Sequence, residues 1–364
     1  MGHYKVNRQP FNTFIEQFAY KRIFVFGDRN TLNKATPLTD ALSAKGVEVT
    51  RYLMDQDEIV PTMEWANELI RRISQAEYIL GVGSGSINDL GKYVAHELGL
   101  PYGIFSTAPS MDGYLSRGAA LICQGVKITF SVHEPDDILM DLEVLRMAPD
   151  MMIAAGVGDL LGKYTALADW RLSQAINGEV VDEEAYQMMR MAMQQAFVAY
   201  DLIVKRDSYG ISVLMDALNT AGLAMAKCGH SRPASGSEHH LSHYLEMDFI
   251  AHDQPIPLHG IKVGLGTLVS LDLYHHLDTL WFDEEIRNQI MGIIRDLPPV
   301  EHVETLLSLV GAPVKFRELG ISESLFTTAL TQAHTIRDRY TILTYYHQNQ
   351  RLAPMLSHLI ERYY

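Results

Sequence analysis

The chain has 364 residues, with 44 acidic against 30 basic side chains and a formal net charge of −14. That sign excludes nucleic acid or an anionic membrane as the main partner, while a local basic pocket for a small anion stays open. Its 47% hydrophobic and 20% charged content is that of a folded globular protein, too long for one core, so two domains are expected. Two distant cysteines, Cys123 and Cys228, exclude a disulfide framework. With no secretory leader or membrane-length apolar run to be read, a cytoplasmic location is the expectation.

The first part of the chain alternates strands with helices. Residues 22–28 (RIFVFGD) form a short apolar run, followed by a helix that closes on Gly46. The strand VEVTRYLM (47–54), the helix TMEWANELIRRISQA and the strand YILGVGSG (78–85) continue the pattern. The helix SINDLGKYVAHELGL and the strand YGIFSTAP (102–109) come next. Short buried strands separated by helices predict a mainly parallel, Rossmann-like sheet covered on both faces. GAALICQGVKITFSVHEP reads as a hairpin turning at Gly125, and DDILMDLEVL as one more strand. From about Pro149 the strand signal ends and long helical patterns take over. The expected organisation is an α/β domain over 1–148 and an all-α domain over 149–364, and a cleft between two such domains is a common home for a ligand site.

The turn GVGSGSINDLGK (81–92) leaves a strand on three glycines and enters a helix. Glycine lets backbone N–H groups approach a phosphate, and the helix N-terminus adds partial positive charge. The spacing departs from G-x-G-x-x-G, and Lys92 lies outside Walker spacing, so a plain tight turn is the alternative. A second loop, STAPSMDGYLSRGAAL (106–121), carries Thr107, Ser110, Asp112 and Ser116 at another strand end. Alone it is an ordinary capped turn; two such loops on one sheet edge favour a dinucleotide. Asp55, after the second strand, suits a ribose 2′-hydroxyl and leans towards NAD over NADP.

Three histidines crowd SGSEHHLSHYLE (235–246), with His239 and His243 one helical turn apart. Asp159 follows two glycines in an apolar helical stretch, and His259 precedes Gly260. Asp159, His239 and His259 would offer one oxygen and two nitrogens to a divalent ion, leaving positions open for a substrate. Against this, Asp159 could simply pair with Lys163 at i+4, and His259 could cap a helix.

The ordered set GVGSGSIND, TAPSMDGY, GVGDLLGKYTALADW, GSEHHLSHYLE, LHG and IRDRYTIL, running from about residue 20 to 345, closely resembles the sn-glycerol-1-phosphate dehydrogenases. These sit within the superfamily of dehydroquinate synthases and iron-containing alcohol dehydrogenases. The resemblance implies a dehydroquinate synthase-like fold and makes Asp159, His239 and His259 the ligands of one zinc, nickel or iron ion. Asp112 and His243 become substrate contacts with catalytic roles, while Gly83, Ser84, Gly85, Ser86, Ile87, Thr107, Ser110 and Ser116 become NAD(P) contacts. Ser86 stands where threonine is commoner, which keeps the hydroxyl. The implied reaction is reversible reduction of dihydroxyacetone phosphate to sn-glycerol 1-phosphate by NAD(P)H. Its phosphate calls for a cation, with Lys163, Lys262 or Arg117 as candidates. Rival readings are an unphosphorylated polyol dehydrogenase, a dehydroquinate synthase-like lyase and a non-catalytic metal or nucleotide binder. A homo-oligomer is expected.

Overall fold

The computed structural model describes residues 5–8 and 10–364. The described residues form eight strands: β1 Lys5–Arg8, β2 Arg22–Asp28, β3 Glu48–Met54, β4 Tyr78–Gly83, β5 Tyr102–Ser106, β6 Gly118–Cys123, β7 Val126–Ser131 and β8 Asp137–Met140. Six of them make one sheet in the order β1-β8-β5-β4-β2-β3, every pair parallel. All six residues of β4 and all five of β5 are buried, as the continuous apolar runs demand when helices cover both faces. β6 and β7 pair separately as an antiparallel hairpin whose turn residues, Gln124 and Gly125, both have positive φ.

Two strand readings need adjustment. β1 was not foreseen: KVNR is four mixed residues on the sheet edge, too short to show a period. The strand expected through 136–145 stops at Met140, because the Asp141 carboxylate accepts from the N–H groups of Glu143 and Val144 and starts the Leu142–Arg146 helix.

Neighbouring β2 and β4 send the chain to opposite sides, β2 to β3 and β4 to β5, so their C-terminal ends mark the position where open α/β sheets take ligands. Gly27 is the last residue but one of β2; a Cβ on it would lie 2.7 Å from the Val82 carbonyl oxygen.

From Asp150 onward the described residues form helices and turns without strands. Contacts divide the chain into two compact units. The first takes in the described residues up to Pro109, with Gly113–Pro149 and Asp201–Met215; the second takes in Ser110–Asp112, Asp150–Tyr200 and Asp216–Tyr364. The first unit's core gathers Phe14, Val25, Tyr78, Leu80, Val82, Phe105 and Leu139 about the sheet.

In the second unit three helices matter most: Asp150–Leu161, Ser237–Ala251 and His259–His275. Gly158 and Gly260 let the first and third touch backbone to backbone, since a Cβ on Gly260 would run into the Ala155 carbonyl. Gly266 does the same for the second and third, its Cβ position lying 2.6 Å from the Glu238 carbonyl oxygen. Small residues thus bring Asp159, His239 and His259 to one place. No described helix is long and apolar enough to cross a membrane.

Candidate active site

Asp159 is fully buried near the end of its helix, His239 is the third residue of Ser237–Ala251, and His259 is the first of His259–His275. One ligand atom from each lies within 4.8 Å of the other two. His239 Nε2 is 3.6 Å from Asp159 Oδ1, and the His239 and His259 ring centroids are 5.1 Å apart. Ligands about 2 Å from a shared ion would sit at comparable separations, so this oxygen-nitrogen-nitrogen set fits a divalent cation.

The surroundings strengthen the fit. His239 Nδ1 lies 2.7 Å from Glu238 Oε1, which assigns that nitrogen the proton and leaves Nε2 as a lone pair facing Asp159. Burial foremost, then Lys163 and the neighbouring histidines, holds His239 well below its usual range, in the neutral form a ligand needs. Glu238 in turn accepts from Thr165 Oγ1 and from the Gly236 N–H, each at 2.6 Å. Burial and then the charge of Asp169 lift Glu238 to about 7. Asp169 accepts from the Tyr274 hydroxyl and the Ile342 N–H at 2.7 Å and from the Ser237 N–H at 2.6 Å.

Lys163, a candidate donor to substrate phosphate, has internal partners. It is fully buried and reaches Asp159 Oδ1 and Asp112 Oδ2 at 2.6 Å each and the Ala234 carbonyl at 3.1 Å. It thus hydrogen-bonds Asp159 and the Ala234 carbonyl and forms an ion pair with Asp112 inside the protein. The i+4 contact with Asp159 is therefore no modest surface pair. Asp112 also donates its backbone N–H to Asp159 Oδ2 at 2.9 Å. Burial and the nearby Asp112 charge push Asp159 up to about 6 despite Lys163. Burial alone would lower Lys163, but the two carboxylates outweigh it and raise it above its ordinary value, keeping it charged. Lys262 donates to the Pro257 carbonyl, and Arg117 pairs with Glu134 at 2.9 Å.

His243, one turn beyond His239, is half-buried, its ring centroid 5.6 Å from that of His259. Its Nε2 is 3.5 Å from Arg337 Nη2 and its Nδ1 3.5 Å from Glu246 Oε2. His240 points elsewhere: it is fully buried, neither ring nitrogen has a hydrogen-bond partner, and burial, then Arg339 and Arg337, holds it down at about 3.

In the first unit, Gly83 ends β4 and a Cβ there would strike Ile87, which is buried. Ser84, Gly85 and Ser86 are half-exposed, and Ser84 precedes the Gly85–Leu98 helix without a side-chain cap bond. This presents backbone N–H groups of the first helical turn. The Thr107 N–H donates to the Gly83 carbonyl at 3.0 Å, setting the second loop beside the first. The Ser116 hydroxyl faces the carbonyls of Gly113 and Gly118 at 3.0 and 3.2 Å and the buried Lys92 ammonium at 3.3 Å, so internal partners surround it. Asp55 stands exposed at the end of β3, paired with Arg29 at 2.7 Å, which holds its carboxyl below the usual range. Ser110 is buried and groups with the second unit, beside Asp112 in sequence.

Sequence reading missed Glu238, Thr165 and Asp169. A signal existed: Asp159–Lys163 and Thr165–Asp169 are i, i+4 polar pairs in otherwise apolar stretches, and buried polar groups require partners.

A family model described as iron-containing alcohol dehydrogenase matches residues 7–149. An NAD(P)+ glycerol-1-phosphate dehydrogenase of Bacillus velezensis is 36% identical over 348 residues, covering 93% of this chain and 88% of that protein. The enzyme of the same name from Saccharolobus solfataricus is 37% identical over 277 residues, 76% of this chain and 71% of its own length. Among solved structures, glycerol dehydrogenase from Schizosaccharomyces pombe matches with a TM-score of 0.74 at 19% identity, covering 99% of this chain and 89% of that one. A probable glycerol dehydrogenase from Sinorhizobium meliloti 1021 matches with a TM-score of 0.67 at 19% identity, covering 100% and 98%. At that identity these structures speak for the fold alone.

Proposed function

The chain belongs to the glycerol-1-phosphate dehydrogenase family, and from that premise we propose that it interconverts dihydroxyacetone phosphate and sn-glycerol 1-phosphate with NAD(P)(H). The observation that carries this reading is the meeting of Asp159, His239 and His259. These three would hold one divalent ion, for which zinc, nickel and iron all suit the donor set, and such an ion supplies Lewis acidity to a substrate ketone. NAD(P)H, which the Gly83–Ile87 turn and Thr107 would bind through backbone donors, supplies the hydride.

The chain's own residues do the rest. Glu238 fixes the His239 ring so that Nε2 stays unprotonated. Lys163 offsets the charge of Asp159 and Asp112, and keeps the Asp112 carboxylate turned into the site. Asp112 accepts from a substrate hydroxyl and so selects which carbonyl face is reduced. His243 exchanges the final proton at Nε2, imidazole being suited to this near neutrality. Arg29 beside Asp55 offers a cation to an adenosine 2′-phosphate, so NADP is accommodated as well as NAD. Cytoplasmic residence and homo-oligomerisation belong to the same proposal; exposed Val198, Leu280 and Trp281 supply apolar surface for contacts between copies.

The test is an assay of metal-analysed protein with dihydroxyacetone phosphate and NADH or NADPH, followed by chiral analysis of the product. Formation of the 1-phosphate is expected. Turnover confined to unphosphorylated dihydroxyacetone would transfer the assignment to a polyol dehydrogenase, and product of the opposite hand would remove Asp112 from its role.

A further inference from the structure

We propose that Arg337 and Arg339 form the subsite that grips the phosphate monoester of the substrate. This rests on the reading above that the substrate is a triose phosphate. Both residues lie between the Ala333–Thr335 turn and the Ile342–Gln348 helix. Arg337 Nη1 and Arg339 Nη2 donate to the same Ser231 hydroxyl oxygen, at 3.1 and 3.0 Å. Arg339 Nη1 also donates to the Ser235 carbonyl at 2.7 Å. Two guanidinium groups therefore converge on one neutral oxygen.

A third arginine shows what these two lack. Arg232 is paired with the Glu179 carboxylate, its Nε at 2.8 Å. Among the described residues no carboxylate lies within ion-pair distance of Arg337 or Arg339, although both are largely buried. Burial foremost, then Arg337 and Arg232, brings the Arg339 guanidinium down to about 10, which registers the same unrelieved positive field. Guanidinium forks fit phosphate oxygens in pairs, and two such forks suit a dianion. Uncompensated polar groups flank the cluster: the Ser235 hydroxyl and both His240 ring nitrogens are buried without hydrogen-bond partners.

Placement agrees with the chemistry. Arg337 Nη2 is 3.5 Å from His243 Nε2, and the His243 ring is next to that of His259. One imidazole separates Arg337 from the ligand trio, a short span that suits a three-carbon substrate with a phosphate at one end. A neutral polyol gains nothing from these cations, so the pair sets the preference for phosphorylated substrate.

The experiment compares the metal-loaded wild type with Arg337→Gln, Arg339→Gln and Arg339→Lys, using dihydroxyacetone phosphate, dihydroxyacetone and inorganic phosphate. The ratio of kcat/KM for the phosphorylated over the unphosphorylated substrate is expected to fall at least 100-fold in each glutamine variant and less in Arg339→Lys. Competitive inhibition by inorganic phosphate should weaken at least tenfold. In wild-type protein, inorganic phosphate should also shield both arginines from phenylglyoxal, read by peptide mass mapping, which covers the case of a variant that does not fold. Parallel losses on both substrates, or labelling that phosphate leaves unchanged, would overturn the subsite. A wild type that prefers dihydroxyacetone removes the triose phosphate reading itself and the subsite with it, whereas a phosphate preference surviving in the variants removes the subsite alone.

Discussion

The His259–His275 helix takes part in two clusters of the same composition, and only one reads as a metal centre. At its start His259 meets Asp159 and His239; at its end Asp272 meets His276 and His358, again with one ligand atom of each within 4.8 Å of the others. In the second cluster both imidazoles turn onto the carboxylate, His276 Nδ1 at 2.7 Å from Oδ1 and His358 Nε2 at 2.9 Å from Oδ2. The Tyr363 hydroxyl adds a bond at 2.7 Å, Arg362 Nε stands 3.8 Å away, and the two rings are 48% and 40% exposed. Asp272 Oδ2 accepts from His358 and Tyr363, while Oδ1 has no hydrogen-bond partner and His276 Nδ1 bonds the Asp272 backbone carbonyl at 3.0 Å. In the first cluster Glu238 holds the His239 proton on Nδ1, so Nε2 is presented as a lone pair in a buried setting. Composition proposes a metal site, and the partners behind the ligands decide it.

Four changes probe this contrast, from the largest expected effect to the smallest. His239→Ala should remove the bound ion and lower kcat/KM by about a thousandfold or more, several kcal/mol of transition-state stabilisation; metal analysis and steady-state kinetics would show it. Gly260→Ala forces a Cβ into the Ala155 carbonyl, so a loss of about 3 kcal/mol in denaturant unfolding is expected, with lowered metal content. Glu238→Gln keeps the size but weakens the hold on the His239 proton, and about 10–100-fold weaker metal binding in chelator competition is expected. His358→Ala, at the other end of the helix, should cost only about 0.5 kcal/mol in the same unfolding assay. Its metal content should match the wild type.

Much of the first unit was legible because parallel strands buried on both faces appear as uninterrupted apolar runs, such as YILGVG in β4. β1 was hidden because its four residues gain their identity only from pairing with β8, more than 120 positions away. That Asp159, His239 and His259 belong together was legible from residue type and from resemblance to a known family. Its support was not: Thr165 meets Glu238 across 73 positions and Tyr274 meets Asp169 across 105, distances at which no local pattern survives. Lys163 shows the same limit. Its i+4 neighbour was visible, but the second carboxylate, Asp112, and the burial that changes the pair's meaning come from the tertiary fold.

The most direct test is anomalous diffraction at the absorption edge of the metal found in purified protein. The account predicts one strong peak bounded by the Asp159 carboxylate and the ring nitrogens of His239 and His259. A peak only beside Asp272, His276 and His358, or three side chains with no ion between them in metal-replete active protein, would contradict it.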